Sequence, residues 1–234
     1  MSNIFSNKEI LVVASHPDDE ILGSGGTVHK VTSQFDANAK ALILSQGVAS
    51  RDNLDEEKLN SEIKMNLEDV QTVSKIIGFQ ETNVLNFPDN EFDTVSLLSI
   101  VKEIEKVVTE FNPDIILTHH NGDLNIDHRI TSQAVYTACR PVREKNIQIL
   151  SYETPSATEW QFPDDRYSFS PNFFVTLSKE NIQSKKEAIN AYRGEVRSYP
   201  HPRSSEALEI IARRWGTVIG CEFAEAFKLH RWIS

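Results

Sequence analysis

The sequence predicts an α/β fold in which a mostly parallel sheet is covered by helices on both faces. Short apolar runs alternate with longer segments whose apolar residues recur every three or four positions, a pattern typical of alternating strands and helices. The apolar runs are too continuous to leave one face in water, which favours a buried parallel sheet. With 234 residues, 39% of them hydrophobic and 25% charged, we expect one domain over residues 1–234.

Five apolar runs are predicted as strands, at residues 10–14, 41–44, 84–87, 114–118 and 147–152. The segments between them are predicted as helices, at residues 21–33, 56–77, 97–111 and 129–138. The segment 56–77 has the clearest helical pattern, because Leu59, Ile63 and Leu67 lie one helical turn apart. Gly78 then suits the end of that helix.

The last third of the sequence is less regular, because Pro155, Pro163 and Pro171 interrupt it. A strand is predicted at residues 173–177, and helices are predicted at residues 180–192 and 205–215. We expect this irregular C-terminal part to pack onto the sheet and to close one side of a site.

Composition argues against several classes of function. The net charge of -10 and the pI of about 5.2 disfavour nucleic-acid binding, since phosphates would be repelled. No apolar run approaches the ~20 residues of a membrane span, and the first residues lack the order of a signal peptide. Cys139 and Cys221 match no metal or redox spacing, so reduced thiols and a cytoplasmic location are expected. A homo-oligomer is compatible with the sequence.

Polar side chains follow four of the predicted strands at one edge of the sheet. In parallel sheets ligands bind outside the carboxyl ends of the strands, so we expect these loops to form one site. The residues are His16, Asp18 and Asp19 after the first strand, Gln46 and Arg51 after the second, Asp89 and Asn90 after the third, and His119, His120, Asp123, Asn125, Asp127 and His128 after the fourth.

A metal site is one interpretation of this edge. A histidine and an aspartate three residues apart at a strand end, with a distant histidine opening a helix, make a set of two imidazoles and one carboxylate. Such a set suits zinc and leaves a fourth position for water. Asp18 lies between the first two residues of the set, where it could act as a base.

Two simpler explanations stay open for the same stretch. Asp18, Asp19 and Glu20 could serve only to favour the following helix through its N-terminal dipole. The Gly-Ser-Gly-Gly sequence at residues 23–26 could bind a dinucleotide pyrophosphate. However, the three preceding acids would repel a diphosphate, so close packing of the helix explains these small residues better.

Two motifs resemble the signatures of the PIG-L, or LmbE-like, zinc-dependent N-deacetylases: His16-Pro17-Asp18-Asp19-Glu20 and Asp123-Leu124-Asn125-Ile126-Asp127-His128-Arg129. The resemblance extends through Arg51, the turn Phe87-Pro88-Asp89-Asn90 and the closing Ala224-Glu225-Ala226-Phe227. It implies a Rossmann-like fold and hydrolysis of an N-acetyl group from an amino sugar, usually a GlcNAc unit carrying an aglycone. The expected partner is therefore a small-molecule or glycan-conjugate substrate.

Carried over by position, the resemblance implies that His16, Asp19 and His128 bind the metal and that Asp18 is the general base. It also implies a catalytic role for Asp127, an acid beside the third ligand that could orient an imidazole. Zn2+ is the implied cofactor, although His/Asp sites also accept Fe2+ and other divalent ions.

Six residues are predicted to contact the substrate: Arg51 and Asp89, which match family positions that touch it, and Asn90, His120, Asp123 and His201. His201 lies in a loop stiffened by prolines. Arg51 and Arg203 could also favour a phosphate or carboxylate on the substrate, or could form surface salt bridges.

Asn125 departs from the family pattern. Members built around His-Pro-Asp-His carry a histidine there, which is thought to stabilise the oxyanion or to protonate the leaving amine. Asn125 can donate a hydrogen bond but cannot transfer a proton at neutral pH. It is therefore predicted to keep a stabilising catalytic role, or else His119, His120 or His201 supplies the acid.

A sugar N-deacetylase is the favoured function. The enzymatic alternative is a zinc amidase acting on a non-sugar or thiol-conjugate acyl amide, and the third hypothesis is a non-catalytic Rossmann-like binding protein. The complete ligand set with its base disfavours the last, since a binding module needs neither a base nor three metal ligands.

Overall fold

A computed structural model of the chain describes residues 4–48, 55–142 and 145–232. Its strands are β1 (Glu9–Ala14), β2 (Asn38–Ser45), β3 (Glu81–Phe87), β4 (Ile115–His119), β5 (Gln148–Tyr152), β6 (Phe173–Leu177) and β7 (Phe223–Arg231). Its helices are α1 (Asp19–Gln34), α2 (Glu56–Ile77), α3 (Leu97–Phe111), α4 (Ile126–Ala138), α5 (Lys179–Ala191) and α6 (Ser205–Ile219), with a short 3-10 helix at Phe92–Thr94. None of the helices within these ranges combines the length and the apolar character needed to cross a membrane.

These strands form one sheet in the order β3-β2-β1-β4-β5-β7-β6. Strands β1 to β5 pair in parallel. The chain adds β2 and β3 on one side of β1 and then places β4 and β5 on the other, so the strand order reverses between β1 and β4. Such a switch point opens a crevice at the carboxyl ends of the two strands. The predicted fold class is confirmed, and the two sequence motifs follow the two strands that flank the crevice.

Strand β1 contributes to two cores, one on each face of the sheet. Val12 and Ala14 belong to a core that includes residues of α1, α2 and α5. Leu11 and Val13 belong to a second core that includes residues of α3 and α4. All four side chains are fully buried. The helices therefore cover both faces, as the continuous apolar runs predict.

The C-terminal part is more regular than its prolines suggest. Strand β6 has the predicted bounds, while β7 was not predicted and runs antiparallel between β5 and β6. The Ala224-Glu225-Ala226-Phe227 motif lies at the start of β7, where five consecutive residues are buried. Two alanines and a buried glutamate give this strand neither alternation nor a continuous apolar run, which explains why the sequence pattern missed it.

Helix α1 approaches the sheet closely through its glycines. A Cβ added at Gly23 would lie 2.0 Å from Cδ2 of Tyr152, and one added at Gly26 would lie 2.6 Å from Cδ1 of Leu177. Larger residues at these two positions would force the helix and the sheet apart. The structure therefore supports close packing as the reason for the small residues at 23–26.

A buried ion pair ties the same helix to the C-terminal part. Glu225 of β7 accepts the backbone N–H of Gly26 at Oε1 over 3.0 Å and that of Thr27 at Oε2 over 2.7 Å. Lys185 of α5 donates to Glu225 Oε1 over 2.6 Å and to the carbonyl of Leu22 over 2.8 Å. Because each charge is buried with hydrogen-bonding partners, α1, α5 and β7 are held in one arrangement.

The variant Gly23→Ala is expected to lower the free energy of unfolding by about 1–3 kcal/mol, because the Tyr152 ring must move to admit a methyl group. Gly25→Ala is the matched control in the same helix, since its nearest new contact would be Cγ2 of Ile21 at 3.0 Å. Urea denaturation measures both variants. Equal destabilisation by the two substitutions would contradict the close approach at Gly23.

Candidate metal centre and catalytic site

The loop after β1 and the first turn of α4 meet at the switch point. His16 follows β1, Asp19 is the first residue of α1, and His128 lies near the start of α4. Asp19 Oδ2 lies 3.2 Å from His16 Nδ1 and 3.2 Å from His128 Nε2. Each of the three residues offers a ligand atom within 4.8 Å of the others. The structure thus brings together the three predicted metal ligands.

This geometry fits a tetrahedral divalent ion. Ligand atoms ~2.1 Å from zinc lie about 3.4 Å apart in a tetrahedron, close to both 3.2 Å separations. Asp19 Oδ1 and His128 Nε2, the ring nitrogen that faces Asp19, are buried and make no hydrogen bond with the residues that the structure describes. Buried polar atoms nearly always have a partner. A bound cation would supply one for the atoms that face the centre of this set.

Carboxylates dominate the charge around the three residues. Burial alone would lower the pKa of His16, but Asp127 and Asp19 raise it to about 10. Burial would likewise lower the pKa of His128, but Asp19 and Asp123 raise it to about 9. Burial alone would raise the pKa of Asp19, whereas His128 holds it well below its usual range. The surroundings therefore favour positive charge at this point, whether carried by protons or by a metal cation.

Each histidine of the set has a second carboxylate at its other ring nitrogen. His16 Nε2 lies 2.9 Å from Asp127 Oδ2, and His128 Nδ1 lies 3.2 Å from Asp123 Oδ1. Metal-binding imidazoles commonly direct their second nitrogen at a carboxylate, which fixes the ring. Asp127 was expected to act beside the third candidate ligand, His128, which follows it in the sequence. The structure places its carboxylate against the ring of His16 instead.

Asp123 and Asp127 are both fully buried. The Asp127 carboxylate accepts two backbone N–H groups of the turn at 90–92 over 2.7 and 2.9 Å. The Asp123 carboxylate accepts the Thr158 hydroxyl over 2.7 Å and the backbone N–H of Asn125 over 2.9 Å. Because both oxygens of Asp123 contact protein groups, this residue is placed to hold the His128 ring. The sequence had predicted a substrate contact for it instead.

Asp18 is buried beside the ligand set in an unusual backbone conformation. Its φ is 102°, a region that costs a non-glycine residue about 1–3 kcal/mol. Its N–H donates to Glu20 Oε2 over 3.1 Å, and its Oδ2 lies 3.0 Å from Arg203 Nη1. Burial raises the pKa of the Asp18 carboxyl, and Arg203 opposes that rise. Strain held by contacts on both backbone and side chain is typical of a positioned functional group.

Arg203 contacts the buried Asp18, a role that its position in the sequence does not indicate. Its Nη1 also lies 3.0 Å from Glu195 Oε2, and its Nε donates to Ser156 Oγ over 2.8 Å. The sequence suggested an anion-binding or surface residue, whereas the structure places the guanidinium between two carboxylates. The proline-stiffened loop around His201 was the only sequence signal that this segment faces the site.

Three polar side chains form a chain along one side of the site. Asn125 caps α4 by accepting the N–H of Asp127 over 2.8 Å, and its Nδ2 donates to Asn90 Oδ1 over 2.9 Å. Asn90 Nδ2 donates to Asp89 Oδ1 over 3.1 Å, and that oxygen lies 3.3 Å from His16 Nε2. The structure therefore brings the predicted residues Asp89, Asn90 and Asn125 together.

The predicted substrate contact Arg51 lies outside the described residues.

His119 was a candidate for the general acid. It is fully buried, its Nε2 accepts the backbone N–H of Ser15 over 2.9 Å, and its Nδ1 lies 3.0 Å from Thr154 Oγ1. Burial and the neighbouring His128 lower its pKa to about 3. A neutral ring with both nitrogens engaged is not suited to deliver a proton to substrate.

His120 and His201 lie in different surroundings. His120 is 5% exposed and its Nε2 lies 2.8 Å from the Tyr167 carbonyl, so its placement favours a structural role over the predicted substrate contact. His201 is partly exposed, its ring lies 5.5 Å from that of Trp160, and its Nδ1 accepts the N–H of Arg203 over 3.1 Å. Of the three candidate acids, His201 is the accessible one.

Residues 11–139 match the family PIG-L, described as GlcNAc-PI de-N-acetylase. The chain belongs to this PIG-L family. Both motifs that build the site lie within the matched residues, and the PIG-L match thus covers every candidate metal ligand.

Two curated relatives of the chain are named as deacetylases. The chain is 27% identical over 82% of its length to the uncharacterized deacetylase YaiS of Escherichia coli (strain K12), of which the match covers 95%. It is 26% identical over 94% of its length to the diacetylchitobiose deacetylase of Thermococcus kodakarensis, of which the match covers 82%.

Among solved structures, the N,N'-diacetylchitobiose deacetylase of Pyrococcus horikoshii superposes with a TM-score of 0.75 at 19% identity, over 95% of this chain and 84% of the other. At that identity the likeness establishes the shared fold.

The variant His128→Ala is expected to lose bound zinc, because it removes one of three ligands and leaves Asp19 without its partner from α4. His230→Ala is the matched control, since His230 bonds instead to Ser151 Oγ over 2.8 Å. Metal analysis after zinc loading and dialysis gives the content of each variant. Equal zinc content in both would contradict the ligand assignment.

The variants Asp127→Asn and Asp123→Asn are expected to weaken zinc binding by about 10–100-fold each, because each removes the charge that orients a ligand ring. The exposed Asp93 follows Phe92, whose backbone N–H bonds to Asp127, and supplies the control Asp93→Asn. Competition with a chromogenic chelator measures the affinities. Unchanged affinity in both buried variants would show that these carboxylates do not support the rings.

Proposed function

We propose that this protein is a zinc-dependent N-deacetylase that hydrolyses the N-acetyl group of a GlcNAc-type amino sugar conjugate and releases acetate. The observation that carries the proposal is the set of His16, Asp19 and His128 with Asp18 buried beside it. Three ligands and an adjacent carboxylate base suit hydrolysis and exceed what a binding module needs. Family membership and the deacetylase relatives support the same reaction.

Zinc held by these three side chains would lower the pKa of water and polarise the acetamide carbonyl. Asp18 takes the proton of the attacking water, while Arg203 holds its carboxylate and Glu20 holds its backbone N–H. Asp127 and Asp123 hold the two imidazoles in orientation. These residues divide the work between metal binding and proton transfer.

Asn125 contributes a hydrogen bond to the oxyanion of the tetrahedral intermediate. An amide has two N–H donors, and the one that bonds Asn90 leaves the second for substrate. Because Asn125 cannot transfer a proton, the proton accepted by Asp18 passes to the departing amine, or His201 supplies it from the neighbouring loop. Asp89, Asn90 and Arg51 contact the sugar in this proposal.

We place the reaction in the cytoplasm. The two thiols, Cys139 and Cys221, are free, which suits a reducing compartment.

Acetate release from a panel of GlcNAc conjugates tests this function. The panel includes N,N'-diacetylchitobiose and an aryl GlcNAc glycoside, with N-acetylcysteine as a non-sugar acyl amide. Release is expected from a sugar conjugate, loss of release after chelation, and recovery when zinc is returned. Acetate only from the non-sugar amide would establish the amidase alternative, and no metal-dependent release from any substrate would contradict the proposal.

The variant Asp18→Asn tests the base in the same assay. It is expected to retain zinc and to lower kcat/KM by about 10²–10⁴-fold, as loss of a general base does. Asp93→Asn serves as the control at an exposed aspartate. Full turnover by Asp18→Asn with zinc bound would remove Asp18 from the base role.

A further inference from the structure

A groove of about 580 Å³ lies beside the candidate site and contains none of the proposed metal ligands. It runs between the segment 153–169 and residues 199–215. Aromatic side chains form much of its lining: Phe162, Tyr167, Phe169, Tyr199 and Trp215. Phe162 is 77% exposed and Tyr199 is 54% exposed, so the groove presents a cluster of aromatic rings to solvent, as binding surfaces do.

The carboxylate of Glu153 lies in this aromatic lining. Glu153 directly follows β5, and one of its oxygens accepts the indole N–H of Trp215. Among the described residues, no basic side chain lies within ion-pair distance of Glu153. Lys185 forms its ion pair with Glu225 instead. Burial raises the pKa of the Glu153 carboxyl, and the Trp215 indole N–H and the more distant charges of Lys185 and Arg214 do not cancel that rise.

Arg214 is the one cationic side chain in the lining, and it lies at the exposed surface. Its guanidinium stacks on the Trp215 ring, 3.9 Å from the centroid. A second carboxylate, Glu159, also lines the groove. The groove therefore combines two carboxylates with aromatic faces, one of which already holds a cation.

We propose that this groove binds an organic ammonium group, with Glu153 as its counter-ion and the aromatic rings as its walls. Aromatic faces attract cations through the ring quadrupole, and a poorly compensated carboxylate gains most from a cation that shares its low-dielectric surroundings. A neutral apolar ligand would leave the carboxylate without a cation, and an anion would meet two carboxylates against the single exposed guanidinium of Arg214. An ammonium group with apolar substituents satisfies both the charge and the rings.

The test of this groove is independent of the proposed hydrolysis, because its probes carry no acetamide. Choline is the cationic probe, and its neutral isostere, in which carbon replaces the nitrogen, is the matched control ligand. Titration calorimetry with the wild-type chain measures both. Choline is expected to bind at least about ten-fold more tightly than the neutral alcohol. Equal affinities, or no choline binding, would overturn the proposal.

The variant Glu153→Gln separates charge from structure, because its amide oxygen can still accept the Trp215 indole N–H. It is expected to lose at least about ten-fold in choline affinity, while the affinity for the neutral alcohol stays unchanged. Glu103→Gln, on α3 and outside the groove, is the control. Unchanged choline affinity in a folded Glu153→Gln variant would overturn the role of Glu153.

Arg214→Gln tests the sign of the charge if Glu153→Gln does not fold. Removing a like charge from the groove is expected to strengthen choline binding, and a weaker affinity would contradict the proposal.

Acetate is the anionic probe in the same experiment. Acetate binding that depends on Arg214, without binding of choline, would show that the groove selects anions. A groove covered by a second copy in solution, detected as a dimer that binds neither probe, would also overturn it.

Discussion

The buried carboxylate of Asp19 is the constraint on which the site depends. Its Oδ2 accepts the backbone N–H of His16 over 2.9 Å and lies 3.2 Å from a ring nitrogen of both His16 and His128. Removing a carboxylate from water costs several kcal/mol unless other groups compensate it. The compensation comes from two strand ends that are neighbours only because the sheet order reverses between β1 and β4. The strand order therefore brings together the groups that stabilise the buried charge of Asp19.

Outer partners extend this constraint into the loops. Asp127 joins the ring of His16 to the backbone of the turn after β3, and Asp123 joins the side of His128 to Thr158 in the segment after β5. Three of the loops at the sheet edge are thereby fixed by the same two carboxylates. A ligand set supported in this way is preorganised, because its side chains cannot turn without breaking hydrogen bonds made by buried groups.

The parallel half of the fold and the meeting of the three candidate ligands could be predicted because both depend on local patterns: continuous apolar runs and polar residues at strand ends. Strand β7 could not be predicted from a local pattern. The burial of Glu225 depends on bonds to Gly26, Thr27 and Lys185, which lie far from it in sequence. Asp127 shows the same limit within the site. Successive residues on a helix point about 100° apart, so a neighbour of His128 in sequence turns away from it and meets His16 instead.

The two tasks of the site are carried by different parts of the chain. The candidate metal ligands and their supporting carboxylates all precede residue 129, whereas the contacts of Asp18 come partly from Arg203 and, through Glu20, from the hydroxyl of Tyr192. A strained backbone persists only where its surroundings hold it. By holding Asp18, the C-terminal part therefore sets where the proposed base lies relative to the candidate metal ligands of the N-terminal part.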